Sequence, residues 1–462
     1  MSISLLPEAP GSWPEYGFEA LFAVDREQRD AVQLEAIQLR FARLRDKLPA
    51  LRKLAEKQGV DSIDTLHDVL KICFDHRVLK NYPLAVLENR DFPKLTAWLN
   101  KLTLHDLSKV DLTGVATVDG WIDRLEEYGL IIGTSSGTTG KLSFVARSKS
   151  ELSAWRSSWY VAVEATTGVH PLAINRTPSF STGYGSGHQM ALKTPQVLPL
   201  ELYGGKHNHH TLYGHMSADL LALSGKMQAA DNKGDLDRAG IDAVLVAQRR
   251  QMIAQARSRT EDLQSWFEKL IEDYRGKPVR IGGMAADLYR VAKAGIDKGL
   301  KPEFAPGTIV SSGGGMKGAT DVPANWKEII MDFFGVDRLS TIYGYSECIG
   351  NAPECSAGHY HFAPYTVPML MDEKGDLLPR HGVHKGRLAT FDLLAESFWG
   401  GFVSGDEVTL HWDDDCSCGW KGPFIEKSIR RYAEMEGGDD KITCSGSVKA
   451  YDEFMDYVMG EK

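Results

Sequence analysis

Six cysteines in 462 residues are too few to staple a chain of this size, so its stability has to come from a hydrophobic core rather than a disulfide framework. No apolar run approaches the roughly 20 residues that cross a bilayer. The opening MSISLLPEAPGSWPEYGFEALF lacks the basic stretch, apolar run and small-residue cleavage site of a secretory signal, and a cytoplasmic protein with reduced thiols is expected. Positive charge is not in excess either: 53 Lys and Arg against 62 Asp and Glu leave a net charge of -9, spread along the chain. The attraction that drives nucleic-acid binding is therefore missing. Internal repeats and low-complexity segments are also lacking. What is present, 43% hydrophobic and 25% charged residues, is the balance of a soluble globular protein of two or more subdomains, with a small molecule as its substrate.

Between Asp25 and Glu56 the residues Leu34, Ile37, Phe41, Leu44 and Leu48 recur at helical spacing, which predicts one long helix whose stripe packs into the core or against a second copy of the chain. From Leu130 onward, short apolar runs alternate with Gly/Ser-rich turns and amphipathic stretches such as Ser265 to Tyr274 and Ala285 to Lys298, an α/β pattern. GRLATFDL and GDEVTLHW read as strands, and Tyr451 to Met459 as a short helix.

The segment IIGTSSGTTGKLSF carries the most chemistry: an apolar strand runs into a loop of glycines, hydroxyl residues and one lysine. Glycines at 137 and 140 let the backbone turn its N–H groups inward, Thr134, Ser135, Ser136, Thr138 and Thr139 add donors, and Lys141 adds a charge, so the loop suits a polyphosphate. It is not a Walker A loop, which would need Gly at Ser135 and Ser or Thr at Leu142.

With TSSGTTGK (Thr134 to Lys141) stand KNYPLAVL (Lys80 to Leu87), GGG (Gly313 to Gly315), YGYSE (Tyr343 to Glu347) and SGD (Ser404 to Asp406), in that motif set's expected order. On these the chain resembles the adenylate-forming (AMP-binding, acyl-CoA synthetase) superfamily, in its phenylacetate-CoA ligase-like branch, with some similarity to acyl-protein synthetases. The resemblance implies the α/β large N-terminal domain of that superfamily with a small β-barrel-like part: a helical portion at 1–125, an AMP-binding core at 126–436, and a hinge with a shortened lid remnant at 437–462. It implies that the loop from Thr134 to Lys141 grips the ATP phosphates, that Gly313, Gly314, Gly315, Tyr343 and Gly344 face the adenine, and that Asp406 accepts from the ribose hydroxyls. Ser346 would donate to the α-phosphate and Glu347 would ligate Mg2+, a fit for a hard carboxylate oxygen. The implied reaction joins a carboxylic acid to AMP with release of pyrophosphate, then passes the acyl group to CoA or another thiol. In this scheme the protein positions and neutralises charge.

Tyr184, His188 and Met190 stand where the resemblance places the acyl pocket; a plain Gly-rich turn explains them equally. The histidines of GGKHNHHTLYGH (Gly204 to His215) are expected to be solvated. Cys355, His361, Cys416 and Cys418 are a candidate structural zinc set, because CSCG follows the GD motif as a cysteine pair does in that branch. His359 or Cys348 is an alternative fourth ligand, and four separate buried residues are the alternative to any metal.

Two departures qualify the resemblance. Gly437 stands where the hinge arginine of the superfamily belongs, leaving Arg430 and Arg431 as substitutes or as an exposed basic pair. After Gly446 only SVKAYDEFMDYVMGEK follows, where relatives carry a lid with a catalytic lysine. A shortened chain, a partner subunit supplying the lid, or a core domain that works alone each accounts for this. Cys444 is an acyl-acceptor candidate or a buried thiol. An acyl-protein synthetase feeding a reductase subunit, and a nucleotide-binding regulatory protein without turnover, are the competing functional readings.

Overall fold

The stretch expected as one helix from Asp25 to Glu56 is two, Arg26–Leu44 and Pro49–Gln58. Leu48 is extended, with φ -101° and ψ 103°, because the ring of a following proline clashes with a helical residue before it. Pro49 then starts the next helix, where a missing N–H costs nothing. Ile37, Phe41, Leu44 and Leu48 are all buried and Leu34 is half-buried, so the stripe is used within the core.

The computed structural model describes residues 3–135, 141–232, 241–316, 322–435 and 445–460. It has a mixed α/β fold and divides into two compact units, Met1–Ala165 with Tyr343–Lys462, and Thr166–Ile342. The first unit begins with the two helices above, the short strand β1 (Phe74–Asp75) and a hairpin, β2 (Leu130–Thr134) and β3 (Phe144–Ser148), whose ten residues are all buried.

The second unit is built on parallel strands: β4 (Ser179–Gly187), β5 (His209–Met216), β6 (Arg280–Met284), β7 (Ile309–Gly313) and β8 (Leu339–Tyr343), in the order β5-β4-β6-β7-β8. Parallel strands need crossover connections, and helices Ala243–Tyr274, Ala285–Asp297 and Trp326–Phe334 provide them. Phe267, Leu270, Leu288, Val310, Ile330 and Phe334 form the buried core against the sheet, at about 1.5–3 kcal/mol for each large side chain taken from water.

The chain then returns to the first unit with β9 (Tyr360–His361), β10 (Thr366–Met371), β11 (Val383–Asp392), β12 (Gly401–His411), β13 (Phe424–Ile425) and β14 (Arg430–Arg431). These form an antiparallel sheet in the order β9-β13-β12-β11-β10, with β1 and β14 also paired to β12. The strand readings of GRLATFDL and GDEVTLHW are met by β11 and β12. Helix Val448–Met459 packs on Pro49–Gln58, with an ion pair between Lys57 and Glu453, and stacks Phe454 on Phe74 of β1 at 5.8 Å. Among the described residues no helix is long and apolar enough to cross a membrane.

Candidate nucleotide and acyl site

The phosphate-loop segment sits at the tip of the β2–β3 hairpin. Ser135 donates its N–H to the Ser143 carbonyl at 3.1 Å, and the Ser143 N–H donates back to Ser135 Oγ at 3.0 Å, closing the neck of the loop. Ser136, Gly137, Thr138, Thr139 and Gly140 lie outside the described residues. Thr134 Oγ1 is buried with no hydrogen-bond partner among the described residues, an unsatisfied polar atom at the loop mouth. Lys141 donates to the Tyr82 carbonyl and lies 4.5 Å above the Tyr82 ring, while Tyr82 Oη donates to the Leu142 carbonyl at 2.8 Å. The KNYP segment therefore braces the hairpin at Lys141 and Leu142. Burial, and next the charge of Lys80, push Lys141 down to about 8.

The other motifs of this unit meet at Asp406. Tyr343, delivered by the carboxyl end of β8, donates its hydroxyl to Asp406 Oδ2 at 2.9 Å. Arg431, opposite Asp406 in the β12–β14 pairing, reaches Oδ1 through Nε at 3.2 Å. Arg431 is thus no idle surface charge: strand register sets it on the residue expected to hold the ribose. Burial, then the neighbouring Asp406, raises the Tyr343 phenol well above its ordinary value.

Glu347 borders an apolar pocket lined by Phe74, Leu99, Phe144, Trp399 and Phe402. Burial raises its carboxyl above the ordinary value, opposed by its own amide and by the charges of Arg147, Arg431 and Lys80. The Glu347 carboxylate accepts from its own main-chain amide and has no ion pair within 4 Å among the described residues. A carboxylate oxygen suits a magnesium ion, and a serine O–H can donate to a phosphate.

In the second unit, five predicted residues stand in or just past the carboxyl halves of parallel strands, the side on which open α/β sheets bind ligands. Gly313 ends β7, and Gly314 and Gly315 turn away with φ of +70° and +59°; no described atom lies within 4 Å of a Cβ built on Gly315. Glycine is required there for the backbone angle, not for space. Tyr184, within β4, donates to Gln255 Oε1 at 3.3 Å and packs on Tyr213. His188, just past β4, is 6% exposed and lies 3.1 Å from the buried Lys193 Nζ.

No protein-family model matches this sequence, and neither does any curated protein. Solved structures do. An open conformation of 2-hydroxyisobutyryl-CoA ligase in complex with 2-HIB-AMP and CoA aligns over 89% of this chain and 73% of that one, with 13% identity and a TM-score of 0.50. The same ligase in its thioesterification state aligns over 88% and 69%, with 14% identity and a TM-score of 0.51. The chain has the fold of the adenylate-forming enzymes. At this identity the likeness carries the fold alone, so roles within it rest on the residues.

Cys355, His361, Cys416 and Cys418 meet on the adenylate-forming scaffold, their ligand atoms all within 4.8 Å of one another. Cys355 Sγ lies 3.9 Å from Cys416 Sγ, and Cys418 Sγ 3.4 Å from His361 Nε2. Thiolates tetrahedral about zinc at ~2.3 Å stand about 3.8 Å apart, so the spacing fits that ion. His359, the alternative ligand, places Nδ1 3.3 Å from Cys416 Sγ, beside the set. Cys348 is elsewhere, on the Glu347 loop. The histidines of Gly204 to His215 form no such group among the described residues. Gly437 and Cys444 lie outside them.

Sequence reasoning missed Arg147, Asp392 and Lys193. The first two fix the loop bearing Ser346 and Glu347; Lys193 is buried beside His188. One signal for Arg147 was available, a single charge inside the otherwise apolar run FVAR.

Proposed function

We propose that this protein activates a carboxylic acid with ATP, forming an acyl adenylate and pyrophosphate, and passes the acyl group to CoA or another thiol, in the manner of the phenylacetate-CoA ligase-like branch. The observation that carries this reading is the meeting at Asp406: a tyrosine and an arginine flank its carboxylate, and Ser346 and Glu347 follow that tyrosine in the chain. The charge of Lys80 is felt by both Lys141 and Glu347. Asp406, with Arg431, holds the ribose; Thr134, Ser135 and Lys141 face the phosphates; Ser346 donates to the α-phosphate.

Glu347 holds Mg2+, which when bound neutralises the phosphates. The substrate carboxylate attacks the α-phosphorus in line, and the protein lowers the barrier by alignment and by fixed positive charge where negative charge builds up. Tyr184 and His188 line the acyl side. The cysteine–histidine set holds zinc in a structural role, since four protein ligands leave no open position.

The test is exchange of labelled pyrophosphate into ATP with a panel of aryl, short-chain and long-chain acids. Exchange with at least one acid is expected. ATP binding without exchange for any acid would sink the reading in favour of a nucleotide-binding protein without turnover, and a labelled thioester on the chain itself would mark an acyl-protein synthetase.

A further inference from the structure

Arg147 is 2% exposed and lies on β3, the strand that leads out of the phosphate loop. Its Nη2 donates to the Ser346 carbonyl at 2.9 Å and to the Cys348 carbonyl at 2.8 Å, the two carbonyls that flank Glu347. The guanidinium lies 4.4 Å over the Trp155 ring. No carboxylate stands at ion-pair distance among the described residues, and its Nε has no partner. Burying an arginine under these terms is costly, and an apolar side chain of similar volume would serve the core better. The cost is matched by what the guanidinium alone does: one rigid group ties the phosphate-loop hairpin to the loop that presents Ser346 and Glu347, some two hundred positions later in the chain.

The far side of that loop is fixed as well. Asp392, 1% exposed, accepts the Ile349 N–H at one carboxylate oxygen and the Leu394 N–H at the other, the latter at 3.0 Å. Tyr345 hydrogen-bonds Thr390 on β11. Main chain on both sides of Glu347 is therefore held, while its carboxylate accepts only from its own amide.

We infer that Arg147 is a positioning residue that fixes the main chain on both sides of Glu347 to β3, so that metal–nucleotide binding depends on this guanidinium although it touches neither. This rests on the proposed function for the roles of Glu347 and the loop. Misplacement of a ligating group by about 1 Å costs on the order of a hundredfold.

The experiment compares wild type, Arg147→Lys and Arg147→Met in three readouts: thermal midpoint, Mn2+ bound in the presence of ATP by electron paramagnetic resonance, and the Mg2+ dependence of exchange. Lysine keeps the charge without the planar fork, so it should fold yet bind Mn2+ about tenfold more weakly with ATP, with a matching rise in the Mg2+ needed for exchange. Arg147→Met should lose about a hundredfold, and if it does not fold, Arg147→Lys carries the comparison. Lower thermal midpoints with unchanged Mn2+ affinity would reduce Arg147 to a packing residue and overturn the inference. Wild type that binds Mn2+ with ATP but exchanges with no acid overturns the proposed function alone. Wild type that binds no Mn2+ with ATP overturns the inference too.

Discussion

Two polar sites lie close together in the chain, the Tyr343–Glu347 loop and the cysteine–histidine set that begins at Cys355, and they are built on opposite principles. In the loop, buried Arg147 and Asp392 spend their hydrogen bonds on main chain, while no other side chain ties down the Glu347 carboxylate, which accepts from its own amide. In the set, side chains turn on one another. Phe424 stacks on His361 with ring centroids 5.0 Å apart, and Trp420 packs edge-on against the same ring at 5.4 Å. A rigid frame around a carboxylate that no other side chain ties down prepares a ligand site; a closed ring of ligands in an aromatic shell prepares a staple. Burial pushes the His361 imidazole down to about 3, which keeps it in the neutral form that metals bind.

The contrast breaks most sharply at Glu347. Glu347→Ala should lower pyrophosphate exchange about a thousandfold, within the range seen for loss of a single charge-stabilising group, with little change in thermal midpoint; activity within tenfold of wild type would refute its assigned role. Cys416→Ser should do the reverse. It should release one zinc per chain, measured by atomic absorption, and lower the thermal midpoint by several degrees, since a structural metal is part of the folding free energy, yet leave exchange per folded molecule within about twofold. Wild type purified from zinc-supplemented cells without the metal would dissolve the comparison.

Arg431→Ala should raise the KM for ATP about tenfold, the loss of one charge-assisted hydrogen bond worth ~1.5 kcal/mol, with kcat nearly unchanged; an unaltered KM would return Arg431 to the surface. The smallest effect concerns pH. Lys141 sheds its proton near pH 8 in the folded, ligand-free protein against 10.5 ordinarily. Below pH 8 the ammonium is present, and above it ATP binding must first take up a proton. The KM for ATP should therefore climb a few-fold from pH 8 to 9 in wild type and stay flat in Lys141→Arg, whose charge persists; parallel profiles would assign the rise to another group.

The legible parts of this protein were those written in local order. The strand that runs into the loop from Thr134 to Lys141 and the strand at GDEVTLHW follow from short-range apolar pattern, and the turn at Gly313 to Gly315 was expected from the resemblance, with glycine needed for its positive φ rather than for close approach. The long N-terminal helix was misjudged at a single proline, because a stripe at helical spacing continues across a break that Pro49 imposes on Leu48. The choice among His361, His359 and Cys348 could not be made from spacing, since ligand distance is a property of the folded sheet.

By itself, then, the sequence determined the α/β class and the kinds of atom offered to a magnesium nucleotide: glycine N–H groups, hydroxyls and a lysine for the phosphates, one carboxylate for the metal and one for the ribose. Only tertiary structure decided which residues face each other. Register on β12 put Arg431 against Asp406, and the burial of β3 aimed Arg147 at the Glu347 loop. The physical reason is that residue type and short-range spacing fix backbone preference and hydrogen-bonding capacity, whereas the pairing of groups hundreds of positions apart is set by how sheets align and cores close.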